Sequence, residues 1–216
     1  MSAGCHDHSC ESGAFAGTSP AYKRVLLAVI GLNLIGFAAS GSAAVTSGST
    51  ALAANAGDFL GDSLTYAVSL AVIGRSAKLR ASAALLKGIT LGAAGIALLG
   101  FAGWRLLSGA TPEGATISLF GFVGLALNFA AALLLFRWRA GDANVRSVWL
   151  CTRNDAIENI GVIAAGGLVA WTGSIWPDLA MGGLLGVMLL HSAWEIVAQA
   201  REELRRAATV HAEPLT

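Results

Sequence analysis

The sequence predicts an all-α polytopic membrane protein with six transmembrane helices and both termini in the cytoplasm. Its 216 residues are 55% hydrophobic and only 12% charged, whereas soluble proteins carry about 25% charged residues. The apolar runs have about the 17 to 25 residues that one bilayer crossing needs. Lys and Arg are concentrated in alternate loops, as the positive-inside rule requires of a protein that crosses the membrane repeatedly.

The six apolar runs are predicted as spans at residues 25–45, 52–73, 81–107, 117–136, 147–171 and 179–198. Together they occupy most of the chain and leave little room for a soluble domain. We therefore expect three regions. These are a disordered cytoplasmic tail over residues 1–21, a six-helix transmembrane domain over 22–207 and a short C-terminal tail over 208–216.

The basic residues predict the orientation of the helices. Lys and Arg lie before span 1, between spans 2 and 3, between spans 4 and 5, and after span 6. The loops at the other end, residues 46–51, 108–116 and 172–178, contain none. Because Lys and Arg in short loops lie mainly on the cytoplasmic side, the basic loops and both termini are expected in the cytoplasm. The expected location is a bacterial inner membrane. The net charge of +1 gives no indication of a nucleic-acid partner.

Ionisable side chains inside the predicted spans are the most informative feature of the chain. Asp58 and Asp62 lie one helical turn apart in span 2, and Cys151 and Asp155 repeat this spacing in span 5. Residues four apart share one face of a helix, so each pair could reach a single ion. Ionisable groups in hydrocarbon are costly unless they are paired or line a wet cavity. The four donors therefore predict a divalent metal site near the midplane.

The types of donor suggest which ion the site takes. Thiolate and carboxylate ligands together suit zinc-like dications, although Cys151 could equally be a small buried apolar side chain. Asn159, one turn beyond the last of the four donors, and Asn154 are candidate supporting residues. Helical-wheel spacing places Glu158 and Arg153 on other faces of span 5.

A second group of possible ligands lies in the N-terminal tail, within six residues of one another. Its members are Cys5, His6, Asp7, His8 and Cys10. The segment is too short to fold as a zinc module, but it could capture or sense metal weakly. The alternative is an accident of composition in a disordered tail.

These features resemble the cation diffusion facilitator family. The resemblance is carried by the segment ALAANAGDFLGDS at residues 51–63, by DAIENIGVI at 155–163 and by WPD at 176–178. It implies that Asp58, Asp62 and Asp155 occupy metal-ligand positions, while Cys151 stands where the family usually has His or Asp. The family's C-terminal cytoplasmic domain is not expected here, because few residues follow span 6.

The resemblance implies a secondary active transporter rather than an enzyme, exporting Zn²⁺ or a related dication in exchange for protons. The substrate would be one of zinc, cadmium, cobalt, nickel, iron and manganese, with no organic cofactor, and a homodimer would have to form through membrane helices. Two alternatives stay open at this point. One is a non-transporting, membrane-anchored metal sensor, and the other a membrane metalloenzyme with Glu158 or His191 as the base.

Overall fold

The protein is described by a computed structural model that covers residues 19–71, 77–139 and 143–210. Six long α-helices make up most of these residues, and no strand occurs among them. The helices are α1 Pro20–Ser47, α2 Thr50–Ala71, α3 Ala77–Ser108, α4 Gly114–Leu135, α5 Ala143–Thr172 and α6 Trp176–Val210. A short 3-10 helix, Phe136–Trp138, follows α4. The predicted all-α fold is confirmed, and each helix covers one predicted span.

The predicted tails lie largely outside the described residues, and so do the tail residues Cys5, His6, His8 and Cys10. The first helix begins within the predicted tail, at Pro20, because Ser19 caps it by accepting a hydrogen bond from the Tyr22 N–H at 3.2 Å. Proline at the first position of a helix is favourable, since its missing N–H would have no intrahelical partner there.

Within the described residues, the helices α1, α3, α4 and α6 are each long and apolar enough to cross a bilayer. The helices α2 and α5 have 22 and 30 residues and carry the acidic residues that lower their hydropathy. The chain is a multi-pass membrane protein. We call the end of the bundle at which α1, α3 and α5 begin the inner end, and the opposite end the outer end; the inner end carries the basic loops.

Helix α2 is the central element, since it packs against every other helix. Helix α1 packs on α2 and α4, α4 packs on α5, and α3 pairs with α6. The α3–α6 pair therefore stands beside the other four helices and meets them mainly through α2. This arrangement leaves α2 and α5 facing the α3–α6 pair.

Apolar packing is concentrated in two clusters of buried side chains. The outer cluster consists of Ala43, Ala44, Ala51, Leu52, Ala54, Leu98, Ile117, Val162, Val169 and Leu185. The inner cluster consists of Tyr22, Leu26, Val29, Tyr66, Ala131 and Leu135. The outer cluster joins residues of all six helices, whereas the members of the inner cluster come from α1, α2 and α4. Among the described residues, the outer cluster therefore joins more helices than the inner cluster does.

The start of α2 is held by a carboxylate from α6. The Asp178 carboxylate accepts hydrogen bonds from the Thr50 and Ala51 N–H groups at 2.7 and 3.2 Å and from the Ser49 hydroxyl at 2.5 Å. The Thr50 hydroxyl also lies 2.8 Å from the same carboxylate. Asp178 is only 1% exposed. A negative charge is favourable here because helix N-termini carry a partial positive charge.

The remaining free N–H groups of this helix end are also satisfied. The first N–H groups of an α-helix have no intrahelical partners, and those of Leu52 and Ala53 bond to the side-chain and main-chain oxygens of Ser49. Gly182 allows α6 to come this close, because a Cβ atom there would lie 2.6 Å from the Thr50 carbonyl carbon. The outer ends of α2 and α6 are thus fixed to each other.

Replacing Asp178 with alanine should lower the free energy of unfolding by about 3 kcal/mol, because several buried donors lose their acceptor. Thermal unfolding of the purified protein in detergent measures the effect. Glu113→Ala is the matched control, since Glu113 is an exposed acid before α4 at the same end of the bundle. Equal melting temperatures for the two variants would contradict the assigned role of Asp178.

Candidate metal centre

The acidic residues of α2 and α5 lie at similar depth in the bundle. At a rise of 1.5 Å per residue, Asp58 and Asp62 are about 12 and 18 Å from the outer end of α2. Asp155 is about 18 Å from the inner end of α5 by the same measure. Since the two helices pack against each other, their carboxylates meet near the middle of the bundle, as predicted.

Three carboxylates converge closely enough to share one ion. Ligand oxygens of Asp58, Asp155 and Glu158 all lie within 4.8 Å of one another. Asp155 is 6% exposed, and the other two side chains are half-buried. Dications bind oxygen ligands at about 2.0 to 2.6 Å, so these three groups have a spacing suited to one dication.

Glu158 is the residue for which the helical-wheel prediction was wrong. That prediction followed the four-residue spacing from Asp155 and assigned Glu158 to another face of α5. Residues three apart are also neighbours on a helix, and Glu158 lies beside Asp155 and against Asp58 of α2. Glu158 is visible in the sequence as an acid three residues after Asp155, but its place in the site depends on the contact with α2.

Asp62 lies one turn further toward the inner end and is tied to α5 by a hydrogen-bond chain. The Tyr66 hydroxyl donates to the Asp62 carboxylate at 2.6 Å and lies 3.1 Å from the Thr152 hydroxyl. The Asp62 carboxyl group also approaches that of Asp155. Tyr66 and Thr152 were not predicted as site residues. The position of Tyr66 at i+4 from Asp62 was the one available signal.

Cys151 and Asn154 are two further residues of α5 that the sequence predicted for the site. The side chain of Cys151 lies outside the described part of the chain; its backbone belongs to α5, one turn before Asp155. Asn154 lines the cavity described below but is exposed, and its side-chain oxygen accepts a hydrogen bond from Arg153 at 3.1 Å. Whether Cys151 binds the ion therefore stays a prediction.

A cavity of about 390 Å³ lies between α2 and α5 on one side and the α3–α6 pair on the other. The acidic residues of the candidate site all line it: Asp58, Asp62, Asp155 and Glu158. Toward the inner end it is lined by Lys87 and by Glu195, whose side chain is 67% exposed. Toward the outer end it meets Ala54 and Leu185, which belong to the outer cluster. The cavity therefore extends from Ala54 and Leu185 of the outer cluster toward the inner end as far as Lys87 and Glu195.

The volume of the cavity is large compared with a bare ion. One water occupies about 30 Å³ in the liquid, so the cavity has room for several waters besides a cation. Hydration lowers the cost of placing carboxylates at this depth.

Comparison with known families agrees with this architecture. The family model described as the cation efflux transmembrane domain matches residues 26–204, which is most of the chain and includes all six helices. The chain belongs to the cation efflux family. It is therefore a transporter of divalent cations rather than an enzyme, and the family resemblance seen in the sequence is confirmed. No curated protein matches the chain.

Behind the carboxylates, this cation efflux protein has a buried amide network. The Asn55 amide of α2 donates to the Asn159 side-chain oxygen and to the Ser40 hydroxyl, both at 3.2 Å. Asn159 in turn donates to the main-chain carbonyl of Asp155 at 2.9 Å. Asn159 thus joins α5 to α2 on the outer side of the site, and its side chain bonds to an amide and a main-chain carbonyl rather than to a carboxylate.

Gly124 of α4 makes room for this network, because a Cβ atom there would overlap the Asn159 side chain. Gly124→Ala should therefore displace Asn159 and lower the free energy of unfolding by about 1 to 3 kcal/mol, the usual cost of overpacking. Thermal unfolding in detergent is the measurement. Gly31→Ala, at a helical site with no atom within 4 Å of the added methyl group, should leave stability unchanged or slightly raised. A Gly124→Ala protein as stable as Gly31→Ala would contradict the assignment.

Proposed function

We propose that the protein exports a zinc-like divalent cation from the cytoplasm through the acidic site on α2 and α5, in exchange for protons. The observation that carries this proposal is the convergence of Asp58, Asp155 and Glu158 oxygens within 4.8 Å inside the bundle. Ionisable groups at this depth mark ion paths by default. Because the cation is proposed to be exchanged for protons, the proposed transport is secondary active.

The cation is proposed to enter through the cavity from the inner end. Among the described helices, the cavity extends from Lys87 and Glu195 on its inner side to Ala54 and Leu185 at its outer limit. An ion in this space can shed part of its hydration shell while it gains carboxylate ligands. Asp62, between the inner end and Asp58 on the same helix, is proposed to take part in this transfer.

Proton exchange follows from the chemistry of the ligands. Carboxylates and thiolates bind metal in their deprotonated forms, so binding of the ion releases protons and protonation of the ligands releases the ion. Protons arriving from the outer side would therefore expel the cation outward. Cys151 is proposed as a further ligand on the inner side of Asp155, and its thiolate would favour zinc or cadmium among the candidate ions.

Outward release requires the outer cluster to open. In the described structure the cluster lies between the cavity and the outer end. Six of its ten members are larger than alanine: Leu52, Leu98, Ile117, Val162, Val169 and Leu185. We propose that the α3–α6 pair rocks against the other four helices and alternately exposes the site to each side, as in other transporters whose binding site lies at the midplane. Dimerisation through membrane helices and metal capture by the tail remain predictions.

Transport by the purified protein in liposomes tests the proposal. Asp62→Ala and Asp155→Ala should each reduce proton-driven Zn²⁺ flux by more than about tenfold, since loss of even a supporting group typically costs a metal site that much. The control is Glu202→Gln, which alters an exposed ion pair with Arg206 near the C-terminal end of α6.

Unchanged zinc flux in both aspartate variants would overturn the proposed site. Metal binding without any flux in the unaltered protein would favour the sensor alternative, because a transporter alone must move ions across the bilayer. Zinc flux that is insensitive to an imposed pH gradient would remove the proton exchange while leaving export in place.

A further inference from the structure

We propose that Glu158 is a direct ligand of the transported cation, and that its carboxylate shifts the preference of the site toward Mn²⁺-like ions and away from soft ions such as Cd²⁺. The inference rests on the proposed function, because it takes the ion at this site to be the cargo. It adds to the predicted ligands Asp58, Asp62, Cys151 and Asp155 a residue that the four-residue spacing excluded.

Geometry is the first argument. Glu158 is one of three residues whose ligand oxygens lie within 4.8 Å of one another, together with Asp58 and Asp155. An ion that binds oxygen at about 2.0 to 2.6 Å can bridge oxygens separated by up to roughly twice that distance. The side chain of Glu158 also lines the cavity through which the ion is proposed to arrive.

The Asp155 carboxylate has an oxygen atom that lacks a hydrogen-bond partner among the described residues. The Oδ2 atom of Asp155 is buried, and it has no hydrogen-bond donor in the part of the chain that the structure describes. Asp155 as a whole is only 6% exposed. Leaving a buried carboxylate oxygen unpaired is unfavourable, and a cation held between Asp155 and Glu158 would supply the missing interaction.

Glu158 differs from Asp62 in the hydrogen bonds that its carboxylate accepts. The Asp62 carboxylate already accepts a hydrogen bond from Tyr66 at 2.6 Å, which occupies one of its oxygens. Within the described helices the Glu158 carboxylate accepts no equivalent hydrogen bond from a side chain or a main-chain N–H, and it is half-buried beside two other carboxylates. Like charges held this close favour a bound dication that offsets them.

The number of oxygen ligands determines the expected preference. Carboxylate and water ligands suit Mn²⁺ and other hard cations, whereas thiolate ligands favour zinc and softer ions. Three carboxylates in a hydrated cavity form an oxygen-rich set even if Cys151 contributes a sulfur atom. Removing one carboxylate should therefore weaken Mn²⁺ binding more than Cd²⁺ binding.

Equilibrium titration of the purified full-length protein in detergent with Mn²⁺, Zn²⁺ and Cd²⁺ tests the inference. Glu158→Gln keeps the size of the side chain and removes its charge, and it should raise the Kd for Mn²⁺ at least about tenfold with a smaller effect on Cd²⁺. Glu158→Asp retains a carboxylate with shorter reach and should give an intermediate Kd. Glu202→Gln is the matched control, because Glu202 is an exposed acid near the C-terminal end of α6 and is not among the residues that line the cavity. The Kd values of this variant should change less than about twofold.

The outcomes separate this inference from the proposed function. If Glu158→Gln binds all three ions as Glu202→Gln does, the ligand role is overturned, whether or not the protein transports. If binding depends on Glu158 but reconstituted protein moves no ion, the ligand role holds and export fails. Melting temperatures establish that each variant is folded. If Glu158→Gln does not fold, Glu158→Asp replaces it in the test. A severalfold rise in the Mn²⁺ Kd of Glu158→Asp then supports the inference, and an unchanged Kd overturns it.

Discussion

The carboxylate of Asp178 sets the position of the central helix, and the rest of the site depends on that position. It joins the first N–H groups of α2 to the start of α6, so the two helices share a fixed register at the outer end. Because α2 contacts every other helix, this register also determines the height at which Asp58 and Asp62 face α5. A shift of α2 by one residue would move its acids about 1.5 Å along the axis and rotate them by about 100° away from the cavity.

The same interaction limits how the protein can change shape. Because the bonds of Asp178 join the outer ends of α2 and α6, the proposed rocking of the α3–α6 pair against the other four helices has to break these bonds when the outer end opens. Toward the inner end, the cavity lies between α2 and α5 on one side and the α3–α6 pair on the other. The bonded outer end and the cavity on its inner side therefore give the bundle an asymmetry that suits a site accessible from one side at a time.

The sequence predicted the spans well, because apolar length is a property of each segment alone. It also predicted Asp58, Asp62 and Asp155 as neighbours, since helical spacing is local and the two helices happen to meet at that depth. Glu158, Tyr66 and Thr152 were not predicted as site residues, because their roles depend on which helix lies opposite. Asp178 was visible as part of a family motif, but its hydrogen bonds to the residues that begin α2 could not be derived from spacing.

The distribution of polarity among the helices has a physical reason that links fold and function. Carboxylates at membrane depth need water, a hydrogen-bond donor or a cation, and a helix exposed to lipid on most sides could offer none of these. The two helices that carry the acids, α2 and α5, are the two that fall short of a self-sufficient apolar span among the described residues, and both line the cavity. The carboxylates of both helices therefore face the cavity, while exposed apolar side chains such as Ile157 and Ile160 of α5, together with those of the more apolar helices, form the surface available to lipid.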